Sequence, residues 1–247
     1  MDYMERWREV RRDPRLLLEG ARSIVSMAFN YRQPNPVKGV AAYALGEDYH
    51  KVLRRRLKRA VREFRDEFGG NWRICIDSAP ILERYWARAA GVGRRSGLHG
   101  NIVVEGVGSM VFLAELVTTL ELPPTAPLSS DTIQAEEYGD KAVKGPCPTG
   151  ALLPGGAIDA RKCINYLTIE RRGELTCEER LLTGSDIFGC DRCQLADMAN
   201  RGAAPEVIPE FRPMEGLREF IEGNNPSFPL HRSPLARAKD LISSRNS

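Results

Sequence analysis

Four cysteines, Cys147, Cys163, Cys190 and Cys193, follow one another with the spacing C-x15-C-x26-C-x2-C. A C-x-x-C turn directs two thiolates at one centre, and a centre with four protein ligands ties distant segments together. Cys147 sits in KGPCPTGAL. In ferredoxin-type motifs the cysteine before proline is the fourth of a run C-x2-C-x2-C-x3-C-P, and it serves the other cluster from the one bound by its three upstream neighbours. Cys147 therefore joins Cys190 and Cys193, and Cys163 completes four. The upstream positions of that run hold Glu137, Asp140 and Val143, and the second motif, CDRCQLAD, has Asp197 where its own proline-linked cysteine would stand. One ligand set is thus absent as a unit, and the other is complete.

Spacing alone leaves three readings open: one 4Fe-4S cluster, a four-thiolate zinc site, or buried cysteines without metal. The CPTGA sequence favours iron and sulfur. The carboxylates at 137, 140 and 197 read as scattered surface acids. Cys75, in an apolar run, reads as core, and Cys177, in ELTCEER, has no nameable partner.

With 247 residues, 42% of them apolar, the chain can bury a core without disulfides. The start, MDYMERWREVRRDPR, is charged where a secretory signal would be apolar, and no apolar run is long enough to span a bilayer. These features predict a soluble cytoplasmic protein with no membrane partner, in which cysteines serve metals more often than disulfides. A net charge of +3 is too small to imply a polyanionic partner.

The runs 24–31 (IVSMAFNY) and 72–77 (WRICID) read as buried strands. Between them, residues 48–68 repeat apolar side chains Leu53, Leu57, Ala60, Val61, Phe64 and Phe68 on one helical face. The opposite face carries Lys51, Arg54, Arg55, Arg56, Lys58, Arg59, Arg62 and Arg65, which could meet RNA phosphates or simply be solvated. A second helix is expected from Pro80, capped by Asp77 or Ser78 and carrying Glu83 and Arg84. Residues 101–122 read as a hairpin turning at Glu105-Gly-Val-Gly, with a long second arm. The glycines of GVGRRSG follow a helix rather than a strand, which argues against a dinucleotide site and for a loop against a bulky cofactor. The proline- and serine-rich stretch 121–131 marks a domain boundary. Beyond Asp197 the chain reads as loop-like and ends in a basic tail.

The runs YALGEDYHKVLRRRL, DSAPILER, CPTGALLPGGAIDARKCINYLTIE and FGCDRCQL, with MDYMERWREVRRDPRLLLEGARSIVSMAFNY and SPLARAKDLISSRN, resemble the epoxyqueuosine reductase family. The resemblance covers most of the chain in the family's order. It implies an α/β fold: a cobalamin-binding α/β domain over residues 1–125, a small ferredoxin-like iron-sulfur domain over 126–200, and a C-terminal extension over 201–247. It also implies removal of the epoxide oxygen of epoxyqueuosine in transfer RNA, or of a related substrate, with cobalamin and a 4Fe-4S cluster as cofactors and an external electron donor such as a flavodoxin or ferredoxin. By the same resemblance Asp77 is the proton donor and Arg84 orients substrate. Tyr49, His50, Ser78 and Gly97 would line the substrate or cofactor pocket, and Cys147, Cys163, Cys190 and Cys193 would hold the single cluster. Where the family has a tryptophan-x-glycine-lysine motif, this chain reads Arg94-Arg-Ser-Gly97. The alternative is a non-catalytic descendant that binds cobalamin or RNA and keeps four cysteines as a structural metal site.

Overall fold

The computed structural model describes residues 5, 7–34, 36–125, 145–206 and 208–238. The chain forms two compact units, one of Met1–Phe29, His50–Arg95 and Val111–Gln134, the other of Asn30–Tyr49, Ser96–Met110 and Ala135–Ser247. Each draws on several separate segments.

The first unit is built on a three-stranded sheet of β1 (Ser23–Asn30), β2 (Trp72–Ile76) and β3 (Val111–Thr118), with β3 in the middle. The middle strand has the most apolar sequence of the three, VFLAELVT, and is buried along nearly its whole length. It pairs antiparallel with β2 from Trp72 opposite Thr118 to Ile76 opposite Ala114, a register that sets Cys75 against Glu115. The core under the sheet gathers Leu17, Cys75, Ile81 and Val117, with Ile24 and Trp86 packed against them. Helix α1 (Tyr49–Phe68) runs over the expected span and buries Val52, Leu53, Leu57 and Val61. Its far end departs from the periodicity. Phe68 is exposed, and Phe64 stacks on Trp72 with ring centroids 5.6 Å apart.

Two expectations require correction. The second helix, α2 (Glu83–Ala89), starts three residues after Pro80 and has Leu82, not Asp77 or Ser78, at its N-cap position. Proline disfavours helical backbone at the preceding residue, Ala79. Ile81, 3% exposed, is drawn into the core, so the chain makes turns until that anchor is set. The expected hairpin also does not form. Its first run, Ile102–Val103, belongs to the second unit, whereas its second run is β3 of the first. The Glu105-Gly-Val-Gly segment does turn, closed by a bridge between Val104 and Gly108.

The second unit has little regular structure. Its core is Val37, Val40, Ala44, Leu45, Phe188, Leu217, Phe228 and Leu235. The proline-dotted segment beyond Asp197 therefore supplies three side chains to that core. Helix α3 (Cys177–Thr183) opens with a capping box between Thr176 and Glu179, and α4 (Arg192–Ala196) carries Cys193. Among the described residues no helix is long and apolar enough to cross a membrane.

Candidate metal centre and catalytic turn

Cys147, Cys163, Cys190 and Cys193 line one pocket of the second unit, together with Pro148, Ile158 and Arg192. Local sequence explains how each arrives there. Cys147 is followed by a proline and a turn in which Gly150, at φ 64°, lets its N–H reach the Cys147 carbonyl. That turn also brings the Ala151 N–H to 3.3 Å from the Cys147 sulfur and the Thr149 hydroxyl to the same distance. Gly189, at φ 72°, precedes Cys190, and a Cβ there would meet Ala41 and Asn165 at 2.7 Å. The Asn165 amide holds the Cys190 backbone on both sides, accepting from its N–H at 3.2 Å and donating to its carbonyl at 3.3 Å. Thus the segment that carries Cys163 also positions Cys190. Arg192, ion-paired with Asp186 at 2.6 Å, donates to the Cys190 sulfur at 3.1 Å.

The electrostatics mark these thiols as neighbours. Burial, then the charges of Cys190, Cys163 and Cys147, pushes Cys193 up to about 12. Burial raises Cys163 and Cys190. Cys147 moves the other way, because bonds from Thr149, Ala151 and Leu152 outweigh its desolvation. Among the described residues no three His, Cys, Asp or Glu side chains stand close enough to hold a single metal ion. Four thiols around a shared pocket are a donor set that either one zinc or one 4Fe-4S cluster would use.

Asp197 is not a surface acid. It is 1% exposed, and its carboxylate receives the Ser96 hydroxyl at 2.7 Å, the Ala199 N–H at 2.9 Å and the His99 ring at 3.1 Å. The other ring nitrogen of His99 accepts from the Asn101 N–H, so Nε2 carries the proton toward Asp197. Around them Ser109, Gln194, Asn200 and Tyr31 form a further buried hydrogen-bond network. Glu137, Asp140 and Val143 lie outside the described residues.

In the first unit Asp77 follows β2 on a turn with φ 45°, the one positive φ at a non-glycine residue among those described. Such backbone is disfavoured for a side-chain-bearing residue and is held here by its surroundings. Its side chain, 49% exposed, bonds the His50 ring at 2.9 Å. It therefore projects outward from the unit. Ser78 lies on an open groove of about 760 Å³ lined by Arg54, Lys58, Arg62, Arg65 and Arg73. Arg84 stands at the surface, its pKa lowered by desolvation and by the charge of Arg95. Tyr49 and Gly97 fall in the second unit, Tyr49 edge-on to Tyr43 and Gly97 buried.

Behind Asp77 are two acids to which sequence reasoning gave no role. Glu115 on β3 is wholly buried, and burial, then the charge of Glu83, lifts it to about 8. Glu83 opens α2, and burial, then the charge of Asp77, lifts it to about 7. The available signal for Glu115 was a lone acid in the apolar run VFLAELV.

Residues 11–78 match the family model described as epoxyqueuosine reductase QueG, DUF1730. Residues 145–196 match the 4Fe-4S double cluster binding domain. An epoxyqueuosine reductase of Leadbetterella byssophila is 36% identical over 225 residues, covering 89% of this chain and 72% of the relative. The chain belongs to the epoxyqueuosine reductase family. The family's Escherichia coli member is 40% identical over 237 residues, and there the match covers 90% of this chain but 60% of the relative. Among solved structures, an epoxyqueuosine reductase with an epoxyqueuosine-modified tRNA-Tyr stem loop superimposes with a TM-score of 0.76 at 26% identity, over 94% of this chain and 65% of that one. The Bacillus subtilis enzyme, solved with an aspartate-bearing catalytic loop swung out of its active site, gives a TM-score of 0.77 at 28% identity, over 96% and 66%. The chain spans about two thirds of the length of these family members, and it carries a mixed α/β fold and a 4Fe-4S cluster-binding domain.

Proposed function

We propose that this chain reduces the epoxide of epoxyqueuosine in transfer RNA, using cobalamin and a single 4Fe-4S cluster fed by an external donor such as a flavodoxin or ferredoxin. The observation that carries the redox reading is the meeting of four thiols from three segments of the chain at one pocket, with N–H groups directed at two of the sulfurs. Such bonds stabilise thiolates and tune the potential of a cluster. The domain match is to a double-cluster model, and the single-cluster reading rests instead on the sequence, in which the four positions of the other ligand set hold Glu137, Asp140, Val143 and Asp197. It is supported also by Asp197, whose carboxylate is already fully engaged with Ser96, His99 and Ala199.

Reduction breaks both epoxide C–O bonds, forms a carbon–carbon double bond, and consumes two electrons and two protons with release of water. Cobalamin supplies low-valent cobalt when bound. Asp77 fits the proton-donor role because its carboxyl points out of the unit on a strained turn and is oriented by His50. A relative's aspartate-bearing catalytic loop is consistent with that assignment. Arg84 would orient the substrate, with His50 and Ser78 lining the substrate or cofactor pocket, and Tyr49 and Gly97 are kept as pocket residues on the resemblance alone. The basic groove beside Ser78 suits the phosphates of an RNA stem, which cationic side chains position without reading sequence. As functional domains we retain cobalamin binding in 1–125, cluster binding in 126–200 and an extension over 201–247.

The test is turnover of an epoxyqueuosine-modified stem loop by anaerobically prepared protein supplied with cobalamin and reductant. Asp77→Asn is expected to lower turnover by roughly 10²–10⁴-fold with an unchanged melting temperature. Full turnover by that variant, or one zinc per chain without sulfide, refutes the reading.

A further inference from the structure

Glu83 and Glu115 have no place in the cluster pocket; Glu115 is wholly buried and Glu83 half-buried, whereas Asp77 is exposed. On Glu115 one carboxyl oxygen lies 3.3 Å from the Ser26 hydroxyl, and the other is buried with no hydrogen-bond partner. One oxygen of Glu83 is likewise buried and unpartnered. The groups facing them can be named element by element. Glu115 meets Ser26 from β1, Cys75 opposite it on β2 with Arg73 nearby, and Glu83 from α2. Glu83 meets Asp77 and its backbone N–H, Arg84, His50 from α1, and Glu115. Among the described residues no ion pair to Glu115 offsets the loss of water. Two neighbouring carboxylates cannot both be ionised cheaply in such a site, so a proton is retained there.

We propose that Glu83 and Glu115 form a proton reservoir behind Asp77, which replaces the proton that Asp77 gives up in each turnover. The proposal rests on Asp77 being the donor. The transfer moves protons only: Glu83 passes its proton to the Asp77 carboxylate, Glu115 passes its proton to Glu83, and Glu115 is refilled from solvent when the site next opens. The order on which this depends is set by the fold: α2, which Glu83 opens, packs against β3, which carries Glu115, and the Glu83 carboxyl accepts from the Asp77 backbone N–H. Both glutamates act as positioning and supply residues, since neither is exposed to substrate as Asp77 is.

The experiment uses the full chain with its cluster, prepared anaerobically. Infrared titration of the protonated-carboxyl band gives a readout independent of turnover. The wild type is expected to retain this band at neutral pH, above the ordinary carboxylate range, and to lose intensity in Glu83→Gln and in Glu115→Gln. Ser26→Ala, which keeps both acids, removes a hydrogen bond that favours the ionised form and is expected to move the band's midpoint to higher pH. In turnover of the stem loop, Glu115→Gln is expected to lower kcat by roughly tenfold to a hundredfold with KM unchanged, and to shift the alkaline limb to lower pH. Absence of the band at neutral pH, or a midpoint unmoved by Ser26→Ala, overturns the reservoir. So does wild-type kcat with an unaltered pH profile in both glutamine variants. Full turnover by Asp77→Asn overturns the donor reading, whereas an inactive Asp77→Asn with no neutral-pH band overturns the reservoir alone.

Discussion

Replacing Glu115 with glutamine should remove a pH dependence from the stability of the first unit. The ordinary glutamate value is 4.5, and burial with Glu83 beside it raises Glu115 to about 8. Between these values the folded state keeps a proton that the unfolded state has released. Stability is therefore fully present below the unfolded value and is lost as the pH climbs toward the folded one. At about 1.4 kcal/mol per pH unit, the span amounts to about 5 kcal/mol by pH 9 and about 3 kcal/mol by neutrality. Glutamine can still accept from Ser26, but it buries an unpaired amide N–H₂, a pH-independent cost of roughly 1–3 kcal/mol. The variant should thus be the weaker protein at pH 5 and the stronger one above neutrality, with the two curves crossing between. Urea unfolding followed by tryptophan fluorescence is the suitable assay, because Trp7, Trp72 and Trp86 all lie in the first unit. A difference between the proteins that stays constant from pH 5 to pH 8.5 would refute the reasoning.

Cys163→Ala is expected to abolish the broad visible absorption and the iron of anaerobically prepared protein, from about four irons per chain to none. Cys75→Ala, behind the sheet, and Cys177→Ala, exposed on α3, should retain both. Charge reversal at Lys58 and Arg62, on the basic groove, should weaken stem-loop binding and lower the salt slope by roughly one per phosphate contact removed; an unchanged slope would leave the groove solvated. Asp197→Ala strands the Ser96 hydroxyl and the His99 ring and should cost roughly 3 kcal/mol of stability, read by thermal circular dichroism. Asp197→Cys should leave iron at about four per chain, and a rise toward eight would refute the single-cluster reading.

Periodicity made α1 legible almost to the residue, because an amphipathic helix writes its buried face into the chain at fixed intervals. The strands were legible for a similar reason, being apolar runs bounded by turn residues. Pairing was less accessible. Ile102–Val103 and Val111–Thr118 look like the arms of one hairpin, yet their partners lie elsewhere, a choice made by tertiary burial rather than by the turn between them. The start of α2 was misjudged on similar grounds: Pro80 is a good first-turn residue, but the burial of Ile81 fixed the chain before a helix could form.

That the four cysteines share one pocket was legible because side chains directed at a common centre keep a recognisable spacing, and spacing is a property of sequence. The acids were not. The sequence reads Asp197 as a surface carboxylate and assigns Glu115 no role, although each is almost completely buried. The two differ in what surrounds them. Asp197 has three donors on its carboxylate, so its charge is compensated and its burial is structural. Glu115 has one hydroxyl and a second acid beside it, so its charge is uncompensated and its burial favours the proton. Nothing in either residue's immediate sequence distinguishes these cases, because the deciding groups, Ser96 and His99 for one and Ser26 and Glu83 for the other, come from remote parts of the chain. A buried acid thus gains its role from its partners. On that ground the Asp197 carboxylate acts as a structural anchor, while the carboxyl hidden in the central strand is suited to moving protons.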